Sequence, residues 1–245
     1  MCLLAIFYRA VDDAHLIVGA NREESYSRAS APPQILDGPA RALAGMDLEA
    51  GGTWLGVNET GFFVAVTNRP KTRHVVNPRS RGLLAREMLS CRTIEQAIQI
   101  ATQELDLHRY AGCNVICGDA DRLIVFQAGD WLRIKPLPPG LHVITNEDVN
   151  DTNDPRLAFV VDWLGSYGCE TARDCVSALR HVCAFPGNGS PPVCLRGKAS
   201  GTVSSTVLSL TNSLNHSLYL HAHGPPNETP YQDCSSLLHE ISSGI

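Results

Sequence analysis

Residues 1–24, MCLLAIFYRAVDDAHLIVGANREE, are the stretch on which the predicted fold depends. Residues 3–8 and 15–20 are apolar runs rich in strand-forming side chains, and the polar segment between them contains Asp12 and Asp13. This pattern predicts a β-hairpin. The first strand begins directly after Cys2, so the hairpin would hold that cysteine at the end of a sheet rather than on a fraying tail.

Cys2 would become an N-terminal nucleophile if Met1 were removed. A small second side chain generally permits removal of the initiator methionine, and the mature cysteine would then carry an α-amine close to its own sulfur. The amine has a pKa of about 8 and the thiol about 8.5, so the amine can accept the proton that the thiol must lose. A cysteine at position 2 is more often incidental, and it is the adjoining strands that favour the functional interpretation.

The rest of the chain alternates between short strands and pairs of helices. Asp154 before Pro155 predicts a helix that runs to about Leu164, because aspartate caps a first turn and proline suits the first helical position. Thr93 with Gln96 has the form of a capping box before another helix. Further predictions are strands at 53–58, 62–67, 114–118, 123–128, 132–136, 141–145, 202–210 and 218–222, helices at 81–90 and from 171 to before 186, and a mobile surface loop at 186–201.

This order of elements predicts an α+β fold in which two sheets pack together with helices outside, the four-layer αββα sandwich. We expect a single domain over residues 1–245, since a chain of this length can form one core. A division into two domains is the alternative.

Composition excludes several classes of partner. The net charge is −5, and no run of lysines or arginines could neutralise a nucleic-acid backbone. No apolar run approaches the roughly 20 residues that cross a bilayer, and residues 3–8 are too short for a signal peptide. Nine cysteines are an odd number in a chain too long to need a disulfide scaffold, which favours reduced thiols and a cytoplasmic location. We predict no cofactor and no metal.

Several motifs give the sequence a resemblance to a known family. They are Met1-Cys2, Asn21-Arg22-Glu23-Glu24, the stretch GGTWLGVN at 51–58, Thr67-Asn68, Thr145-Asn146 and SSTV at 204–207. In this pattern the chain resembles the NRDE family, which is named for an Asn-Arg-Asp-Glu motif and includes the transport-and-Golgi-organisation proteins. The resemblance implies a fold like that of the N-terminal-nucleophile (Ntn) hydrolases, with Cys2 as the nucleophile. Glu23 stands where the family usually has aspartate.

The polar residues at the end of the second predicted strand are candidates for the site. Arg22 could lower the pKa of the thiol or hold an anionic group of a ligand, or it could form a structural ion pair with Glu23 or Glu24. Glu23 could orient the α-ammonium group or Arg22, or it could be a solvated turn carboxylate. Asn21 could contact a ligand, or it could satisfy backbone groups in a turn.

Three residues later in the chain are further candidates. Asn68 and Asn146 each follow an apolar run, and an amide aimed at a developing oxyanion can contribute roughly 3 kcal/mol; capping a turn is the alternative for both. Trp54 could line a ligand pocket, although core packing is more common for such a residue. His221 and His223 share one strand face, but two imidazoles are a weak indication of a metal.

The predicted function is hydrolysis of a non-peptide carbon–nitrogen bond, in an amide, by the thiol of Cys2. In the alternative, the fold is a non-catalytic carrier or chaperone of a hydrophobic cofactor or lipid; the resemblance suggests haem or acyl-CoA as that partner. The sequence contains no Cys-x-x-Cys-His motif for haem attachment. It does not indicate an oligomeric state.

Overall fold

The structure, a computed structural model, describes residues 2–242, with the backbone alone at residue 2. Its strands and helices alternate in groups along the chain. They are β1 (Cys2–Val11), β2 (Ala14–Ser25), β3 (Ser30–Leu36), β4 (Ala42–Asp47), β5 (Leu55–Asn58), β6 (Phe63–Asn68), α1 (Arg81–Leu89), α2 (Ile94–Asp106), β7 (Cys113–Gly118), β8 (Leu123–Ala128), β9 (Leu132–Leu137), β10 (Gly140–Ile144), α3 (Pro155–Ser166), α4 (Ala172–Cys183), β11 (Ser200–Leu210), β12 (Leu218–Ala222), β13 (Gln232–Asp233) and α5 (Ser235–Ser242).

The strands form two antiparallel sheets, each in its own compact unit of the chain. Unit 1 comprises residues 2–27 and Pro138–Ser236 and contains the sheet with strand order β10-β1-β2-β11-β12-β13. Unit 2 comprises Arg28–Leu137 and 237–242 and contains the sheet with order β3-β4-β5-β6-β7-β8-β9. Two antiparallel sheets with helices on them confirm the predicted α+β class, whereas the single domain stays a prediction.

The core of unit 1 lies between its sheet and the helix pair α3 and α4. Alternate residues of β1 and β2, among them Leu3, Ala5 and Ile17, pack against Leu179 and other apolar side chains of the helices. Gly19 allows this close packing, because a Cβ at that position would lie 2.9 Å from Cδ2 of Leu179. The odd-numbered residues of β2 therefore face the helices, and the even-numbered ones face away from them.

The core of unit 2 lies between its sheet and helices α1 and α2. Two glycines bring the segment before β5 against the start of α1: a Cβ on Gly52 would lie 2.3 Å from the carbonyl carbon of Gly82. The N–H of Thr53 donates to the oxygen of Gly82 at 3.0 Å. Gly51 has a φ of +69°, a conformation that favours glycine and allows the turn that leaves β4.

Asn58 joins the β5–β6 hairpin to the end of α1. Its Oδ1 accepts hydrogen bonds from the N–H groups of Thr60 and Phe62, each at 3.0 Å. Its Nδ2 donates to the backbone oxygens of Leu89 and Cys91 at 3.1 and 2.6 Å. The asparagine that ends the GGTWLGVN motif is fully buried and serves the fold.

The predicted helices are all present, but strands β3, β4 and β13 and helix α5 were missed. Strands β3 and β4 lie between residues 30 and 47, where the sequence has Pro32, Pro33 and several small residues that disfavour strands. The prolines fit because β3 is an edge strand with an irregular register between Ala31 and Gln34. Six strands therefore precede the first helix, rather than the four predicted.

The loop after α4 differs from its predicted character as a mobile surface loop. Val193 and Cys194, in the middle of 186–201, are buried, and both backbone N–H groups donate to the oxygen of Phe185. The centre of the loop is thus attached to unit 1. The Pro and Gly residues that suggested an open loop lie on either side of this anchored segment.

Candidate functional site

Four strand ends of unit 1 meet at one edge of its sheet. The register pairs Cys2 at the start of β1 with Arg22 near the end of β2, and Arg22 in turn with Ser204 near the start of β11. On the other side of β1, Leu4 pairs with Ile144, the last residue of β10, so Asn146 follows directly beside the beginning of β1. The side chain of Cys2 lies outside the described residues. The predicted residues of unit 1 are thus brought to one edge by the topology alone.

A β-bulge in β11 sets which residue lies opposite Arg22. Thr202 pairs with Glu23 and Ser204 pairs with Arg22, so one step on β2 corresponds to two on β11, and Val203 is the extra residue. Ser204 consequently shares the sheet face of Arg22, and Thr202 shares that of Glu23. Arg22 is 5% exposed, and its predicted roles as a pKa-lowering cation or a ligand contact stay predictions.

Glu23 is a buried partner of helix α3. Nη1 of Arg156 donates to one carboxylate oxygen at 3.0 Å, and Nη2 donates to the other. The side chains of Glu23 and Arg156 are 3% and 11% exposed, so the interpretation of Glu23 as a solvated turn carboxylate is wrong. Burial raises the pKa of Glu23, and the charge of Arg156 opposes that rise. Glu23 faces α3 and α4, whereas Arg22 faces the other way, because neighbouring strand residues alternate.

Asn21 anchors the loop after α4. Its Nδ2 donates to the backbone oxygens of Cys183 and Val193 at 2.9 and 3.1 Å. Arg156 donates to the same oxygen of Val193 at 2.8 Å, so the loop, β2 and α3 meet at one atom. Both amide hydrogens of Asn21 are thus engaged with backbone groups, whereas its buried Oδ1 has no hydrogen-bond partner among the described residues. Its structural role is established, and contact with a ligand stays a prediction.

Asn146 lies in the segment that connects β10 to α3. The preceding residue, Thr145, donates to a carboxylate oxygen of Asp154 at 2.6 Å, and the other oxygen of Asp154 accepts from the N–H groups of Arg156 and Leu157. The side chain of Asn146 makes no hydrogen bond within residues 2–242, and its Oδ1 is buried. It therefore caps no turn within the described residues, and its contact with an oxyanion stays a prediction.

Asn68 and Trp54 belong to unit 2. Asn68 ends β6 opposite Cys113, half-buried, and its side-chain amide forms no hydrogen bond in the part of the chain that the structure describes. The indole of Trp54 is half-buried over Gly45, where a Cβ would lie 2.6 Å from its ring, so this face of the ring packs on β4. Oxyanion contact by Asn68 and ligand contact by Trp54 stay predictions.

Sequence reasoning missed three residues of this region. Arg156 follows the predicted cap Asp154-Pro155, but its pairing with Glu23 joins positions 133 residues apart, and no local pattern signals it. Ser204 stood in a recognised motif without a role. His221, considered only as a metal ligand, binds Oγ1 of Thr206 through Nδ1 at 3.0 Å. His221 and His223 have ring centroids 5.9 Å apart, and no group of three or more metal-ligating side chains occurs among the described residues.

The remaining thiols are poor nucleophiles. Cys91, Cys113, Cys117, Cys169, Cys175, Cys183, Cys194 and Cys234 form no disulfide. Burial raises the pKa of each of them, to about 11 for Cys91 and about 12 for Cys113, Cys175 and Cys183. A thiolate is the reactive form of cysteine, so the raised pKa lowers the reactivity of each of these eight side chains near neutral pH.

Within the described residues, no helix is both long and apolar enough to span a membrane.

Comparison with known proteins places the sequence in a family. The model of the family described as "Transport and Golgi organisation 2" matches residues 1–169. The mouse Transport and Golgi organization 2 homolog is 34% identical over 107 residues, which are 42% of this chain and 38% of that protein. The human homolog is 33% identical over an alignment of the same length. The matched segment spans about 38% of the length of these curated relatives.

Comparison with solved structures establishes the fold. Penicillin V acylase from Agrobacterium tumefaciens superposes with a TM-score of 0.58 at 14% identity, covering 100% of this chain and 89% of the other. A Caenorhabditis elegans ortholog of N-acylethanolamine-hydrolyzing acid amidase has a TM-score of 0.56 at 16% identity, covering 84% and 92%. The C2A mutant of conjugated bile acid hydrolase from Clostridium perfringens has a TM-score of 0.54 at 13% identity, covering 96% and 93%. These are Ntn hydrolases, and the predicted Ntn-hydrolase-like fold is confirmed.

Proposed function

We propose, from the premise that this chain belongs to the Transport and Golgi organisation 2 family, that it hydrolyses the amide bond of a small acylated molecule with Cys2 as an N-terminal nucleophile. The observation that carries the proposal is the register of β1: Cys2 begins the central hairpin of an Ntn-hydrolase fold, directly opposite the buried Arg22. The first residue of a strand is held in place by its ladder, as a nucleophile must be.

The proposed reaction has two steps. The sulfur of Cys2 attacks the amide carbonyl carbon while the α-amine of the same residue accepts the thiol proton. The tetrahedral intermediate collapses, the C–N bond breaks, and the leaving amine takes a proton from the α-ammonium group. Water then attacks the thioester, which releases the carboxylic acid and restores the thiol. Met1 must first be removed, because its presence would move the free amine to another residue.

The neighbouring residues have distinct proposed roles. Arg22, on the strand beside Cys2, would favour the thiolate by its charge. Glu23 acts as a positioning residue, since its ion pair with Arg156 ties the end of β2 to α3. Asn146, in the same unit as Cys2, is the candidate oxyanion donor, and its side chain makes no hydrogen bond within the described chain that would compete with that role. The oxyanion role of Asn68 stays a prediction from the sequence.

The names of the structural neighbours support the class of reaction. One of them is named an acid amidase, another an acylase and the third a hydrolase of conjugated bile acids. The last was solved as a C2A mutant, so it too has a cysteine at its second position. The sequence identity to these structures is 13–16%. We therefore adopt from the comparison only the class of bond that is hydrolysed. The acyl group and the amine are left to experiment.

Hydrolysis by the purified protein tests the proposal. The protein with Met1 removed is incubated with a panel of N-acyl amides, and release of the amine is compared between the wild type, Cys2→Ala and Cys2→Ser. We expect turnover by the wild type and none by Cys2→Ala. Alkylation with iodoacetamide provides a second readout, because the eight other thiols have raised pKa values and should react slowly. Turnover that survives in Cys2→Ala would contradict the proposal.

The same purified proteins test the alternative function, that of a non-catalytic carrier. Haem and an acyl-CoA are titrated against the wild type and Cys2→Ala. If either ligand binds tightly and equally to the two proteins, and neither protein hydrolyses an amide, the carrier function would replace the hydrolase proposal.

A further inference from the structure

Ser204 and His221 each have a buried polar atom on the face of the unit 1 sheet that points away from α3 and α4, and neither atom has a hydrogen-bond partner among residues 2–242. They are Oγ of Ser204 and Nε2 of His221, in residues that are 1% and 3% exposed. Buried polar groups in native proteins are nearly always hydrogen-bonded, so each exception requires an explanation. His142 pairs with Ile6 on the same face and also has an unpartnered buried nitrogen, Nδ1, but its other nitrogen is bound to the oxygen of Pro138. A molecule bound beside Ser204 and His221 would supply partners for their two atoms.

The ladder places both residues near the proposed nucleophile. Ser204 lies opposite Arg22, which lies opposite Cys2, so the three form one row across β11, β2 and β1. Neighbouring strands are about 4.8 Å apart, so Ser204 lies about 10 Å across the sheet from the Cys2 backbone. Thr206 is two residues further along β11 and pairs with His221 on β12. Ser204 and His221 are therefore diagonal neighbours, at a typical separation of about 7–8 Å.

The bulge at Val203 is what brings Ser204 to this face. Without it, Thr202 and Ser204 would point to the same side of the sheet, because they are two residues apart. Thr202 instead faces the helices, where its Oγ1 accepts from the N–H of Leu195 at 2.8 Å. Bulges are frequent next to active sites because they re-aim a side chain. Here the re-aimed side chain is the serine that lacks a partner.

His221 is held neutral and oriented. Its Nδ1 is bound to Thr206, and burial, with a smaller contribution from the nearby His223, lowers its pKa to about 4. The neutral ring has one N–H, so Nε2 either donates or accepts a single hydrogen bond, depending on the tautomer. The Ser204 hydroxyl can do both. A hydroxyl group on the ligand complements either tautomer, whereas a carboxylate can only accept.

We propose that Ser204 and His221 form a subsite that recognises a hydroxyl group on the acyl part of the substrate. The inference rests on the proposed amide hydrolysis, since the row of residues that begins at Cys2 sets where the acyl chain would lie. Because Ser204 is two strands away from Cys2, the recognised hydroxyl belongs several bonds from the scissile carbonyl. Recognition by buried groups makes the subsite selective, because an acyl chain without the hydroxyl leaves both atoms unpaired.

Binding to the non-hydrolysing Cys2→Ala protein tests this subsite directly. The probes are the anilide of a straight-chain fatty acid and the anilides of its monohydroxy positional isomers, with dissociation constants measured by calorimetry. We expect at least one isomer to bind about tenfold more tightly than the unsubstituted anilide, as two added hydrogen bonds to buried groups would give. That ratio should fall towards one when Ser204→Ala or His221→Asn is added.

Two control variants separate recognition from folding. Ser205→Ala changes the adjacent serine, which faces the helices and binds Tyr231 and the oxygen of Ala20, so it should leave the ratio unchanged. His221→Asn keeps a group near Nδ1 and deletes Nε2, whereas His221→Gln places an amide near Nε2 and should restore part of the preference.

The outcomes distinguish this inference from the proposed function. Equal binding of all the anilides, or a preference that survives Ser204→Ala and His221→Asn, overturns the subsite even if the wild type hydrolyses amides through Cys2. If no anilide binds and Cys2 is never acylated, the subsite and the hydrolase proposal both fail. A preference that only the Ser204 and His221 variants abolish establishes the subsite.

Discussion

Arg156 holds the carboxylate of Glu23 with both of its terminal nitrogens, across 133 residues of chain. This ion pair ties the polar end of β2 to the first turn of α3, beside the strand that begins at Cys2. The same arginine also donates to the backbone oxygen of Val193, where Asn21 donates as well. Two residues of the Asn21–Glu24 motif therefore position the loop and helix around the proposed site, while Arg22 faces the other side of the sheet.

Breaking the Glu23–Arg156 pair should destabilise the protein. Glu23→Gln or Arg156→Met leaves one buried partner without its counter-charge, and we expect a loss of about 3–5 kcal/mol in the free energy of unfolding. The double variant should lose less than the sum of the two single variants. Urea denaturation gives the values. Arg122→Ala, which breaks an exposed pair with Glu95, is the control and should change stability little. Additive losses in the double variant would contradict a direct pairing.

The glycine contact at the start of α1 should not tolerate a methyl group. Gly52→Ala would place a Cβ 2.3 Å from the backbone of Gly82, which has no flexible side chain to move aside. We expect the free energy of unfolding to fall by more than about 3 kcal/mol, or the variant to fail to fold. Forcing a side chain against rigid backbone destabilises a protein at least as much as adding atoms to a packed core does. Gly61→Ala is the matched control: its φ is +80° but no atom lies within 4 Å, so it should cost only about 1 kcal/mol. Thermal denaturation of both variants gives the comparison, and equal losses would refute the close contact.

Both the amide nitrogen and the amide oxygen of Asn58 should be required for the stability of the protein. Asn58→Asp keeps the acceptor for Thr60 and Phe62 but removes the donor to Leu89 and Cys91, and it buries a charge. We expect a loss of about 3 kcal/mol or more in unfolding free energy at neutral pH. The loss should become smaller as the pH falls and the aspartate is protonated. Denaturation curves at several pH values test this, and a pH-independent loss would contradict the account.

Acid should destabilise the native state through His221. Its native pKa is about 4, against 6.5 for an unperturbed histidine, so between these values the unfolded chain binds a proton that the native state excludes. The contribution is fully present above pH 6.5 and is lost as the pH falls towards 4, up to about 3 kcal/mol. The loss over this window should be smaller in His221→Asn. An NMR titration showing that the His221 ring protonates near 6.5 would contradict the prediction.

The sequence predicted those elements whose signals are local. Asp154-Pro155 caps its helix as the pattern indicates, and Thr93 accepts from the N–H of Gln96. The helix predicted to begin near residue 171 does so, with Thr171 as its N-cap. Gln96 does not complete the predicted capping box, because its side chain accepts from Arg92 instead. Strands β3 and β4 were missed because proline and small residues carry little strand signal, and their pairing depends on neighbours that a local pattern does not show.

The part of the site that depends on the β1–β2 hairpin was predictable from the sequence. Alternation and the short turn after β1 suffice to bring Cys2 near Arg22. The bulge at Val203, the pairing of Arg156 with Glu23 and the contact of His221 with Thr206 depend on residues brought together from distant segments. No spacing along the chain signals such contacts. These are also the contacts that decide which side chains face the proposed substrate.

Mass spectrometry of the N-terminal peptide tests the central claim most directly. The protein is isolated from its own cells, incubated briefly with an N-acyl amide substrate and quenched in acid before digestion. The account predicts a peptide that begins at Cys2 and carries the mass of the acyl group on that residue. A peptide that retains Met1 in a sample that hydrolyses the amide, or an acyl group carried by another residue, would contradict it.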